Sequence, residues 1–248
     1  MYFLIDQSAL IFIAASLMAI TLGTGLNHNG KATLLTALPD LAFIGMYAGL
    51  VIMLGNMSDP ADVPVSLAVA CLPALYSFVV YLLLEFVDLN TANEHPEPRT
   101  KQRRVGAVIF VAVLLYLTSA NQPAFLDTFT MALVLAFLSF IALTRKISGG
   151  DDLLSARDLL PSIGMVIGAI GSVVALANID APKAIGPVLA ASYLGVIYTS
   201  VIRIFWLILQ PATKGGSTNV NAPHFTYGRL LLPIITVAIL LISLQLQK

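Results

Sequence analysis

Two stretches of this chain repeat one another, without a gap, at an offset of 122 positions: Pro39 to Tyr76, and Pro161 to Tyr198. Pro39 pairs with Pro161, Gly49 with Gly171, Leu54 with Leu176, Asn56 with Asn178 and Pro60 with Pro182. Leu67, Ala68 and Tyr76 then pair with Leu189, Ala190 and Tyr198. Leu, Ala and Val recur by chance in any apolar helix, whereas matched Pro, Gly and Asn mark shared turns and close approaches. The offset is close to half of the 248 residues, so the chain reads as a duplicated unit, residues 1–122 followed by residues 123–248.

The repeated passages are embedded in apolar sequence. Hydrophobic residues make up 58% of the chain and charged residues 10%, against roughly 25% charged in soluble domains. That leaves too little polar surface to face water and predicts an all-α, polytopic membrane protein. A helix needs about 20 apolar residues to cross the hydrocarbon core. Eight segments come close and are the expected spans, the fourth of them short: 8–26, 38–56, 64–86, 105–120, 126–144, 160–178, 185–209 and 229–247. They are continuously apolar and lack the alternation of a barrel strand. Met1 to Gln7 carries no basic residue, so the first span reads as retained rather than as a cleaved leader. The single cysteine, Cys71, excludes an intramolecular disulfide, and a net charge of zero offers no composition-level case for nucleic acid.

Eight spans place both termini on one side. The loops on that side, with the C-terminus, hold only Lys183 and Lys248, and the other 11 of the 13 Lys and Arg residues lie in or beside loops 27–37, 87–104, 145–159 and 210–228. The positive-inside rule makes the second side cytoplasmic, with both termini outside, as in a bacterial inner membrane. Four spans per repeat, an even number, make the halves parallel and related by an axis along the membrane normal. Many secondary transporters have inverted repeats instead.

Within each repeat the second and third spans are joined by a short outer turn carrying Asn56, Asp59 and Pro60 in the first copy and Asn178, Asp180 and Pro182 in the second. Asn and Asp favour turns by bonding their own backbone, and Pro is tolerated at the first helical position. With Pro161, Gly164, Gly168, Gly171, Gly186, Pro187, Ala190, Ala191 and Tyr198 in one copy, and Pro39, Gly45, Gly49, Ala68, Ala70 and Tyr76 in the other, the pattern resembles the paired pore helices of the MotA/TolQ/ExbB proton-channel family. The resemblance covers about 40 residues in each half. It implies a subunit that assembles in a ring around the transmembrane helix of a single-span partner, with proton passage coupled to work. Where the family carries pathway hydroxyls this chain has Pro73, Ala74, Gly195 and Val196, with Met46 and Ala169 on the outgoing helices; Ser77, Thr199 and Ser200 are the nearest polar groups. The longest inner loops are under 20 residues, too short for a torque-transmitting domain. Together these features point to a helix-clasping scaffold. A solute or ion transporter is the alternative, using Ser66, Ser77, Ser192, Thr199 and Ser200 along a path between the halves.

Ionisable groups within a bilayer are costly and therefore candidates for function. Glu85 and Arg203 lie near the inner ends of the third and seventh spans, at depths that permit a charge pair across the two halves. Asp127 reads as the cap of the fifth span. Gly45 and Gly49, like Gly164 and Gly168, form small-xxx-small faces suited to close helix packing. Pro73 and Pro233 are expected to kink their helices. The basic run Arg99 to Arg104 suits anionic lipid headgroups. His28, His95 and His224 lack partners at metal-ligand spacing, and no phosphate loop, HExxH or nucleophile elbow is present. Neither an enzyme nor a cofactor is expected.

Overall fold

A computed structural model of the chain describes residues 5–25, 28–55, 63–86, 100–119, 122–148, 153–178 and 182–210. These residues form seven α-helices, one 3-10 turn and no strand. The helices are α1 (Gln7–Thr24), α2 (His28–Gly55), α3 (Val63–Phe86), α4 (Thr100–Thr118), α5 (Thr128–Ser148), α6 (Leu153–Ala177) and α7 (Pro182–Leu209), with the turn Gln122–Phe125 before α5. Six of them, all except α4, are long and apolar enough to cross a membrane. Lys101, Arg103 and Arg104 form the first turn of α4 rather than a loop, so the fourth expected span is a shorter apolar stretch with a basic start. The eighth expected span, 229–247, with Pro233, lies outside the described residues, as do Asn56, Asp59, Pro60 and Asp180.

Two helices begin earlier than the sequence suggested. Pro39 and Pro161 were each expected to open a span, yet α2 starts at His28 and α6 at Leu153, with the prolines inside. A proline removes one N–H and frees the carbonyl four residues earlier, but it does not end a helix whose preceding turns are held by packing. Leu34, Ala37, Leu38 and Leu160 are all buried.

The central element is α2. In its apolar window 83% of the residues are buried, against 11% for the window that contains α5, so α2 is core and α5 periphery. α3 packs on one side of α2 and α7 on another, α1 and α4 pack together beside them, α6 lies against α7, and α5 closes over α6 and α7. The largest apolar cluster is shared by α2 and α7, and a second joins α1, α2, α4 and α7. Exposed large apolar side chains remain on α3, α5 and α6, among them Phe78, Leu82, Phe140 and Val173. Such faces suit lipid or another helix.

The starts of α1 and α5 are built alike. The Asp6 carboxylate accepts from the Ala9 N–H at 3.0 Å, and Asp6 donates its own N–H to the Tyr76 hydroxyl at 3.1 Å. As expected, Asp127 caps α5, accepting from the Thr130 N–H at 3.0 Å, and it donates its N–H to the Tyr198 hydroxyl at 3.2 Å. Tyr198 in turn donates to the Phe125 carbonyl at 2.6 Å. Each tyrosine of a returning helix thus ties down a helix N-terminus whose orphan N–H groups need partners. At the other end of α1, Gly25 adopts φ 79° and donates to the Thr21 carbonyl, a positive-φ conformation that glycine takes without strain.

Candidate functional site

The α2–α7 interface follows one antiparallel register. Near the start of α7, a Cβ on Gly186 would lie 3.1 Å from the Leu54 carbonyl oxygen. Two helical turns on, Tyr47 stacks on Tyr193 with ring centroids 4.9 Å apart and planes 22° from parallel. Phe43 continues the stack from the same helix at 5.9 Å. A further two turns along α2 is Asp40, which shares this face because positions 40, 43 and 47 follow helical spacing.

Asp40 is completely buried, and its Oδ2 accepts from Arg203 Nη1 on α7 at 2.6 Å. A pair with one member fully buried is a strong constraint, because removing one partner takes the matching charge away from the other. The Arg203 Nε and the Ser200 hydroxyl, both buried, have no hydrogen-bond partner in the structure. The apolar core therefore holds a small polar island, made by Asp40 of the first half of the chain and Ser200 and Arg203 of the second. It ties α2 to α7 and fixes their register.

A cross-half charge pair was expected at Arg203, with Glu85 as its partner. The partner is Asp40. Glu85 is exposed near the end of α3 and makes no ion pair with Arg203. With Pro39 read as a helix start, Asp40 falls at the membrane surface; with α2 starting at His28 it lies inside the helix instead. The signal was its spacing to Phe43 and Tyr47.

The expected small-residue faces are closed by the chain's own helices. A Cβ on Gly49 would lie 2.7 Å from the Ala70 Cβ, and one on Gly45 would collide with Pro73 on α3. On the second hairpin, Gly171 meets Ser192, and Gly164 meets Thr199, with the Val196 Cα at 3.1 Å. Gly195 of α7 is pressed against Ile167 in the same way. Gly168 uses its carbonyl to accept from the Ser172 hydroxyl at 2.9 Å. Gly45, Gly49, Gly164, Gly171 and Gly195 therefore meet the chain's own helices rather than an open surface.

Among the hydroxyls, Thr199 donates back to the Gly195 carbonyl at 2.9 Å and Ser192 to the Leu189 carbonyl at 2.6 Å. Ser77 is buried, and its hydroxyl is unpartnered, as is that of Ser16 on α1. The two lie one turn further along from Pro73 and Phe12, which both meet Gly45. Asn178 ends α6 by donating its side-chain amide to the Val174 carbonyl at 2.8 Å, and Pro182 opens α7. At the start of α6 the buried Arg157 reaches the exposed Asp158 at 3.4 Å.

Comparison with protein-family models, curated proteins and solved structures finds no match.

Proposed function

We propose that the chain is an inner-membrane subunit similar to the MotA/TolQ/ExbB family, with eight spans in two parallel four-helix repeats and both termini outside the cytoplasm. In this reading it packs around the transmembrane helix of a single-span partner in a proton-driven motor or energy-transducing complex. It serves there as a non-conducting scaffold, with membrane lipids around it.

The observation that carries the reading is the shared register of the two hairpins. Gly49 against Ala70 in α2 and α3 becomes Gly171 against Ser192 in α6 and α7, both members displaced by 122. Gly45 against Pro73 becomes Ile167 against Gly195, so the same contact is kept with the glycine moved to the other helix. The Tyr76–Asp6 and Tyr198–Asp127 bonds add a third matched contact. This is the element on which the family resemblance rests.

A scaffold is favoured over a solute path between the halves because that interface is filled. Phe43, Tyr47 and Tyr193 occupy it, and the Asp40–Arg203 pair crosses it. Two of the hydroxyls such a path would use are turned back onto their own helices. The test is purification in lipid particles followed by reconstitution. Co-isolation of a single-span protein bearing an intramembrane Asp is expected, together with proton flux through liposomes of the chain alone no greater than through empty ones. A solitary monomer stabilised by a small solute would refute the proposal.

A further inference from the structure

The helix contacts of the first half recur in the second with one exception. α1 packs on α2 and α3, and α5 packs on α6 and α7. α2 packs on α3, and α6 on α7. α1 is also covered by α4, whereas no described helix covers α5 as α4 covers α1. Aligned on their capping residues, Asp6 and Asp127, α1 and α5 match where their neighbours match: Ala9 and Ile13 correspond to Thr130 and Val134, all four buried. They part along the side that α4 takes. There Ala19 and Gly23 are buried, and a Cβ on Gly106 of α4 would fall 2.6 Å from the Ala19 carbonyl oxygen and 2.9 Å from the Gly23 Cα. Their counterparts on α5, Phe140 and Thr144, are exposed, Phe140 at 65%.

We infer that the last apolar segment, residues 229–247, docks on this open side of α5 within the same chain, in the antiparallel register that α4 holds on α1. The inference rests on the duplicated, eight-span reading proposed above and gives its last span a place. The occupant is the chain's own segment because the duplication sets it there. Displaced by 122, α4 becomes residues 222–240, which overlap that segment. α7 ends at Leu209, close to the counterpart of the α3 end at Phe86, so the chain has a similar length of link in which to return.

The residues that make the α1–α4 contact are carried over. Gly106 becomes Gly228, so the residue that lets the covering helix approach closely is kept. Phe110 and Val113 of the buried α4 face become Leu232 and Ile235. Val111, which is exposed on α4, becomes Pro233, so the proline takes a position outside the contact. One buried position changes character: Ala107, in the cluster that α4 shares with α7, becomes Arg229. No described helix stands beside α5 and α6 as α7 stands beside α1 and α2, so an arginine there can extend to the headgroups.

Rejoining a cut chain tests this. In a Cys71→Ser background with a specific protease site inserted after Gly216, Phe140→Cys is combined with Leu232→Cys, and separately Leu133→Cys with Ile235→Cys. Native membranes are treated with a short lipid-soluble thiol crosslinker and then with the protease. Both pairs should keep most of the chain at full-length mass in denaturing gels. Phe140→Cys with Leu230→Cys, the counterpart of the exposed Val108, should fall to two fragments. Rejoining by neither pair would overturn the inference in favour of lipid against α5. A product of twice the mass would overturn it in favour of a second copy, and a product with a protein of another mass in favour of a partner helix. Lys248→Cys, again without Cys71, separates docking from the span count. Labelling by an impermeant maleimide from outside upholds eight spans even where docking fails, and labelling only from the cytoplasm overturns both.

Discussion

Asp40 and Arg203 show how much a single pair of residues decides. Removing two charges from water is expensive, and the return comes only from good geometry between them. Here the carboxylate is wholly enclosed and the contact is 2.6 Å. Arg203→Leu should therefore cost about 3–5 kcal/mol, because the buried Asp40 carboxylate loses its guanidinium partner. Asp40→Leu combined with Arg203→Leu should recover most of that loss. Glu85→Leu, at an exposed position, should change little. Thermal unfolding of the four proteins in lipid particles checks this, and an equal loss in the single and double Arg203 variants would show that the pair is not the cause.

At the scale of elements, the hairpins teach that a close approach is a property of the helix pair rather than of one residue. Helices in lipid gain little from hydrophobic exclusion and depend on backbone proximity and packing. Some residue at the crossing must be small, and either helix can supply it. Gly45 does so opposite Pro73 in one hairpin and Gly195 opposite Ile167 in the other. Gly45→Ile should overpack α2 against α3 and cost about 1–3 kcal/mol. Adding Pro73→Gly, which copies the second hairpin, should restore the thermal midpoint measured for the folded chain. Failure of the second change to rescue the first would separate the two crossings. The offset alignment pairs Gly45 with Ile167 and Pro73 with Gly195, which looks like two unrelated mismatches until the helices are set side by side.

For the whole molecule, orientation follows from charge. With 11 of 13 cations in or beside four loops, those loops are expected in the cytoplasm and the Asn178 turn outside. In a Cys71→Ser background, Asn178→Cys should react with a membrane-impermeant maleimide added to intact spheroplasts. Arg99→Cys should react only after permeabilisation. The reverse pattern would invert the topology and place both termini inside.

Composition and the continuous apolar runs determined that the chain is helical and suited to a bilayer, because no other regular structure in such sequence satisfies its own backbone in lipid. The 122-residue offset and the positions of Asn178, Asp127 and Pro182 were legible because turns and caps are local chemistry, written in a few adjacent residues. The early starts of α2 and α6 were not, since a proline inside a buried helix looks the same in sequence as a proline at its start. Nor was the partner of Arg203, which stands 163 positions away on another helix. Only the packing of α2 against α7 decided that Asp40 is enclosed, which glycines are covered by the chain itself, and which faces of α3 and α6 stay open. Pairing between distant helices depends on the summed fit of whole surfaces, and no local pattern records that sum.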